Sequence, residues 1–427
     1  MILNIIATCI ALYSFVNFKR ALQLFIIFEL VYFPNAKIIT FKYFPSIPIY
    51  LVVLIIFFVA FLYKRRFKIP KKSCPYSIPL LFLCISRFLT CFTSLSGFFD
   101  ELSRLVGYFF YSFIFVIIIW QTLESKEDFF FVFKGYCTVF TISGIYGIIE
   151  CLLKYNPFVH YKSTLTPEGI DFYAIDMFRG YRVTAIFEHP IGTGINCALY
   201  IVLTFILFWD YKEHGINIRQ FIIPVILSVV CIFLTKMRSS IVFFLIALFG
   251  TLNFKKMKTY FLGIITIFLI LVLITLFPDK FSIVLSIFNT KARQAVGGSS
   301  LGQRIMQFNA AFQLSKQSPI FGLGERAIER VGLYYQDRLL GMESVWLEEI
   351  VKRGFGGIIA TIVMIIYSVV LIPKKYSCKE AVFISLGYWT VYSMSSLPYV
   401  RLSLYFVVLF YCLKFKNINL VSDTRTV

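Results

Sequence analysis

Apolar runs of roughly 17–25 residues recur along nearly the whole chain, each long enough for a helix rising about 1.5 Å per residue to cross a hydrocarbon core of about 30 Å. They fall near residues 2–18, 21–41, 47–63, 77–97, 103–121, 129–153, 184–209, 219–235, 239–253, 258–277, 343–372, 379–397 and 399–415. In lipid, every backbone N–H and C=O must find its partner inside the protein, so only helices and closed barrels cross. The runs are continuous and lack the alternation of a barrel strand. The expectation is an all-α fold, a polytopic transmembrane helical bundle of about 13 spans with 12–14 as the range, forming a single membrane domain over 1–427. The second run is interrupted at Pro34-Asn35-Ala36-Lys37 and the ninth is short. Composition agrees: 59% of the 427 residues are hydrophobic and 15% charged, where soluble domains carry about 25% charge.

A net charge of +20 could signal nucleic acid, but in a membrane protein the first explanation is basic residues crowding the cytoplasmic loops. No nucleic-acid partner is expected. The loop at 64–72, KRRFKIPKK, carries six basic residues and no acid, which assigns it to the cytoplasm. Alternation then puts 254–258, 373–379 and 414–416 on the same side, and all three are basic. This places the N-terminus in the periplasm and the C-terminus in the cytoplasm. It sends two long loops outside, 154–183 and the large external (periplasmic) loop 278–342. The second holds eight cations, among them Arg304, against four acids. Positive charge kept outside suggests an anionic ligand, although long loops also translocate regardless of charge. The ten cysteines lie in or beside apolar runs, so no disulfide framework or metal motif is expected. The first 20 residues read as a span rather than a signal peptide, because their charges follow the apolar run.

Four arginines stand out by position: Arg182 before the seventh span, Arg238 in the tight turn LTKMRSS, Arg304 in the large loop, and Arg401 opening the last span. All map to the external side. Each could simply snorkel to headgroups; if they converge, their guanidinium groups suit bidentate phosphate binding. Gly322-Leu323-Gly324 marks a tight turn or a close backbone approach. His189-Pro190 at a span start is ambiguous between a structural and a catalytic role. No phosphate loop, HExxH or DxD motif is present, so neither metal nor nucleotide cofactor is expected.

The stretch 341–357, GMESVWLEEIVKRGFGG, packs Glu343, Glu348, Glu349, Lys352 and Arg353 ahead of an apolar run. Residues 354–372 are long enough to cross unaided, so 343–353 reads as a charged helical extension outside the bilayer. Glu349 and Arg353 stand four apart and can pair. Glu343 lies outside that pair, at the end of the basic loop.

Four stretches resemble the O-antigen polymerase and ligase family of bacterial inner-membrane proteins (Wzy-type polymerases and lipopolysaccharide-ligase relatives). RVTAIFEHPIGTG (182–194) is similar to an Arg-x-x-Gly-x-Phe-x-x-Pro segment, with Ala185 where Gly is common. LTKMRSS (234–240) is similar to Leu-Thr-x-Ser-Arg-Ser, with Met237 for Ser. QRIMQFNAAFQLSKQSPIFGLG (303–324) and ESVWLEEIVKRGFGG (343–357) resemble the large-loop pattern and the segment that follows it. Ligases of this family carry His where Glu343 stands. The resemblance implies a glycosyltransferase acting outside the cytoplasm on undecaprenyl-pyrophosphate-linked glycans, without metal. It implies Arg182, Arg238 and Arg304 as a pyrophosphate clamp, joined by Arg401, with Glu343 as base and His189 as a secondary candidate. The lipid bilayer and a chain-length regulator are the further expected partners. The alternatives are a ligase transferring the glycan to lipid A–core and, from another class, a lipid-linked oligosaccharide flippase.

Overall fold

The computed structural model describes residues 2–32, 37–39, 47–66, 73–162, 174–176, 180–213, 219–252, 301–339, 341–395 and 401–416. Each expected span with described residues contains a helix, the second only in its first part; the run at 258–277 and the basic loop at 254–258 lie outside the described residues. In chain order the first helices are α1 (Ile2–Tyr13), α2 (Phe18–Phe28), α3 (Ile49–Lys64) and α4 (Ser77–Thr90). Next come α5 (Phe98–Tyr108), continued through a π-helical turn into α6 (Phe115–Thr122), then α7 (Lys126–Leu153) and the short α8 (Pro157–Lys162). The central group is α9 (Pro190–Glu213), α10 (Arg219–Leu234) and α11 (Arg238–Thr251). The segment over 301–339, which the sequence leads one to expect outside, holds α12 (Leu301–Ser315), α13 (Ala327–Arg330) and α14 (Leu333–Leu339). The chain ends with α15 (Val345–Ile366), running through a second π turn into α16 (Ile372–Tyr376), then α17 (Lys379–Met394) and α18 (Leu402–Phe415).

Among the described residues, four helical stretches are long and apolar enough to cross a membrane: Phe98–Thr122, Lys126–Leu153, Pro190–Phe208 and Val345–Tyr376. The others are shorter. The second run departs most from its expected course. Its helix stops at Phe28, and Lys37–Ile39 (β1) instead pairs antiparallel with Ile47–Pro48 (β2). The run is therefore not one continuous helix. A second two-stranded ladder pairs Ile175–Asp176 (β3) with Gly180–Tyr181 (β4), between α8 and α9 in the chain.

Helix faces are sorted as a lipid solvent requires. On α7 the exposed residues Ile142, Ile145, Ile149 and Leu152 form one stripe, while Ser143, Gly144, Gly147 and Glu150 face inward. Small residues at the interior face let backbones approach where no hydrophobic force drives helix association. A Cβ on Gly144 would stand 2.5 Å from that of Leu227 on α10, so that contact admits nothing larger than glycine. α15 repeats the pattern, with Phe355, Ile359, Ile362 and Ile366 outward and Gly357, Ala360, Thr361 and Met364 inward.

The bundle has two chemically distinct ends. At one, Arg65 bonds the Gln121 side chain, Lys414 donates to the carbonyls of Trp120 and Leu123, and Trp120 packs edge-on against Tyr376. Lys379, three residues after Tyr376, donates to the Leu252 carbonyl. The described parts of three of the basic loops, 64–72, 373–379 and 414–416, therefore meet helix ends whose carbonyls welcome positive charge. The other end carries the external segment, with a small core of its own. Ala310, Ala311 and Leu314 of α12 pack with Leu323, Ala327, Leu339 and Val351.

Candidate functional site

Buried polar side chains that periodicity could not reveal build the segment around Arg182. Glu150, on the inner face of α7, accepts from the backbone N–H groups of Thr184 (2.9 Å) and Ala185 (2.7 Å) and from the Tyr181 hydroxyl (2.9 Å). Asn156 donates to the Ala185 carbonyl and the Thr184 hydroxyl, 2.8 Å each. Two hydrogen-bonded anchors thus fold residues 181–185 into a fixed loop. Ala185 sits at φ +47, a left-handed conformation that favours glycine, which accounts for the glycine common at this position in the resembling family. A carboxylate inside an apolar run was the signal that could have found Glu150.

This loop meets the turn before α11. Val183 donates to the Leu234 carbonyl (3.2 Å), and the Arg182 guanidinium lies 3.8 Å from the Met237 sulfur, next to Arg238. Behind them α9 and α11 pack so closely that a Cβ on Gly194 would stand 2.2 Å from the Ser240 hydroxyl. His189 is buried at the start of α9, where its Nδ1 accepts the Ile191 N–H at 3.1 Å. With Nδ1 accepting that bond, a neutral ring carries its proton on Nε2. The Arg401 N–H donates to Asn196 of α9 at 2.9 Å.

Arg304 and Glu343, 39 residues apart in sequence, form an ion pair at 3.1 Å, and Arg304 also donates to the Met394 carbonyl at the end of α17. α17 runs antiparallel to α11, since Gly387 meets Phe243 and Gly250 meets Phe383. That register places Arg238, first in α11, and Met394, last in α17, at the same end of the pair. The contacts thus join the candidates into two groups at one end of the bundle. Arg182, His189, the Met237–Arg238 turn and Arg401 gather around α9; Arg304 and Glu343 stand at the tip of α17.

The Gly322-Leu323-Gly324 stretch does more than turn. α15 breaks at Gly354 (φ 62, ψ −154), and the backbone groups freed there are taken up by residues 319–324. Leu323 and Gly324 donate to the carbonyls of Val351 and Lys352, both at 3.0 Å, while Phe355 and Gly356 donate to those of Pro319 and Ile320 at 2.8 and 2.9 Å. On its other side the segment is held by the Thr90 and Thr93 hydroxyls on the Phe321 and Gly322 carbonyls, 2.7 Å each.

An ion network locks the same junction. Glu325 pairs with Arg87 (3.0 Å), Lys352 (2.9 Å) and Arg353 (2.5 Å). Arg353 also pairs with Glu349, the i,i+4 pair expected from the sequence, and Lys352 with Glu348. Burial alone would raise the Glu325 pKa, but Arg353, Lys352 and Arg87 outweigh it and hold the carboxyl well below its ordinary value. The sign follows from linkage: a depressed folded pKa gives stability that is complete above about pH 4.5, the ordinary value, and drains away as the pH falls towards the folded one. Glu325→Gln should therefore cost about 3 kcal/mol at pH 7, as breaking a largely buried pair does. Thermal unfolding in detergent should show the wild type losing stability between pH 5 and pH 3, with the variant already low and nearly flat. Equal acid loss in both would mean that another group carries it.

Between α4, α5, α15, α17 and α18 lies a cavity of about 280 Å³, to which five tyrosines contribute alongside leucines and other apolar side chains, and which Glu349 and Arg353 also line.

A bundle of apolar helices, with cations at one end meeting backbone carbonyls and an arginine–carboxylate centre at the other, is that of a helical membrane protein with a polar site at one face. Residues 223–362, about a third of the chain, match the family model described as O-Antigen ligase, in agreement with the resemblance carried by the four stretches. The match takes in Arg238, Arg304 and Glu343 and leaves Arg182, His189 and Arg401 outside. No curated protein matches the chain. The chain is thus similar to glycan-transferring membrane enzymes of the O-antigen ligase and polymerase type.

Proposed function

We propose that the protein polymerises undecaprenyl-pyrophosphate-linked repeat units into O-antigen or a related surface polysaccharide, at the periplasmic face of a bacterial inner membrane. The observation that carries this reading is the Arg304–Glu343 pair, inside the matched segment and at the same end as Arg182, Arg238 and Arg401. In the reaction, the acceptor sugar hydroxyl gives its proton to the Glu343 carboxylate as its oxygen bonds the donor's anomeric carbon. The anomeric C–O bond to pyrophosphate breaks, and Arg304, Arg182 and Arg238 take up the negative charge that develops on the leaving group. Attack opposite the leaving group inverts the anomeric centre. Arg304 needs only to exchange one carboxylate contact for a phosphate oxygen, leaving Glu343 beside the acceptor. The His189 Nδ1 is taken by a backbone N–H, which supports a positioning role at the start of α9.

A ligase that transfers the glycan to lipid A–core is the second reading, favoured by the description of the family that matches. Glutamate rather than histidine at 343 favours the polymerase. Lipopolysaccharide gels after deletion separate the two. Loss of the polymerase should leave core carrying a single repeat unit; core with none would establish the ligase. A chain-length regulator is a further partner of the polymerase reading. Orientation follows from the basic end, which this reading puts in the cytoplasm.

A further inference from the structure

We infer that the cavity between α4, α5, α15, α17 and α18 is a subsite for one sugar ring of the lipid-linked glycan; this rests on the glycosyl-transfer reading above. Its position is the first reason. Val345, two residues beyond Glu343, lines it, as does Tyr392, two residues before the Met394 carbonyl that Arg304 bonds. The cavity therefore begins directly beneath the candidate reacting groups.

Size and lining are the second reason. At about 280 Å³ it falls below the roughly 300–1,000 Å³ of pockets that enclose drug-sized ligands, which suits a single ring with the rest of the glycan outside. Tyr108, Tyr388, Tyr392 and Tyr405 supply aromatic faces, against which the C–H faces of a sugar pack, while their rims and the Glu349–Arg353 side supply polar partners for its hydroxyls. Glu349 is the most telling group. One oxygen is paired with Arg353, but Oε2 is buried with no hydrogen-bond partner among the described residues. A buried carboxylate oxygen left unpaired keeps the cost of its lost hydration. A ligand hydroxyl donating to it would remove that cost. A prenyl tail would leave it unmet and would bury the ion pair in hydrocarbon, so the cavity suits the sugar rather than the lipid.

The test uses full-length protein in nanodiscs and three probes. These are lipid-linked repeat units extracted from cells deleted for this protein, bare undecaprenyl pyrophosphate, and the free oligosaccharide released from the first by mild acid. Leu83→Trp fills the cavity from α4 and Tyr388→Ala removes an aromatic wall; thermal unfolding reports whether each folds. Both variants should bind the lipid-linked unit at least tenfold more weakly and bare undecaprenyl pyrophosphate as the wild type does. Loss restricted to the lipid-linked unit assigns the ring next to the pyrophosphate, and loss on the free oligosaccharide too assigns an acceptor's terminal ring. Unchanged glycan binding in both folded variants, or equal weakening for bare lipid, overturns the subsite alone. Wild-type protein that binds the lipid-linked unit no better than bare lipid overturns the glycosyl-transfer reading along with it.

Discussion

Arg304→Ala should abolish long polysaccharide chains while the protein stays inserted at wild-type level. Loss of one preorganised group that stabilises developing negative charge costs about 10²–10³ in rate. The effect on stability should be small, because the Arg304 and Glu343 side chains are 44% and 31% exposed and such pairs contribute about 1 kcal/mol or less. That contrast makes the experiment informative. Arg304→Lys keeps the charge but loses the planar fork, so chains should be short and sparse rather than absent. Glu343→Gln keeps a partner for Arg304 yet cannot accept the acceptor's proton, and turnover should fall about 10²–10⁴-fold with binding of lipid-linked units retained. Immunoblots for protein level and polysaccharide gels for chain length read out all three. Wild-type chain length in Arg304→Ala at normal protein level would remove Arg304 from the clamp, and wild-type polymerisation in Glu343→Gln would remove Glu343 as base.

Gly322→Ala should undock the external segment from α15. A Cβ there would stand 2.3 Å from the backbone nitrogen of Arg353 and 2.4 Å from the Lys352 carbonyl oxygen, at a φ of +73. Neither backbone atom can move aside, because both belong to the break at Gly354 that residues 319–324 bridge. Overpacking and the left-handed conformation together should cost about 3 kcal/mol. Trypsin should then cut at Lys316 and Arg326, which flank the docked segment, much faster than in the wild type, and activity should fall with docking. Gly332 is the control: nothing lies within 4 Å of its added Cβ, so Gly332→Ala should leave both rates unchanged. Equal protection of Gly322→Ala and wild type would show that the backbone pairing does not hold the segment.

The helical bundle was legible because lipid leaves a chain few choices. Runs such as Lys126–Leu153 and Pro190–Phe208 must be helical, and their lengths follow from hydrocarbon thickness. The Glu349–Arg353 pair was legible for a similar reason, since an i,i+4 spacing on a helix brings side chains together wherever the helix goes. Legibility failed where backbone or side chains meet across long separations. Nothing in periodicity signals that Glu325 gathers Arg87, 238 residues earlier, with Lys352 and Arg353. Nor does it show that the Gly354 break exists to be bridged by residues 319–324. Asn156, which helps shape the loop carrying Arg182, was silent because a helix and its neighbouring loop share no repeat, and Glu150 was marked only as a carboxylate inside an apolar run.

From sequence alone come the class of the protein, a helical bundle in lipid, and four arginines expected on one side. These rest on properties each residue has locally: apolarity, charge and helical spacing. The tertiary structure decided which of those charges meet. It placed Arg304 on Glu343 and tied the Arg182 loop to the Arg238 turn. It also turned a Gly-x-Gly motif from a simple turn into a backbone junction, because only packing decides which distant groups share a buried space.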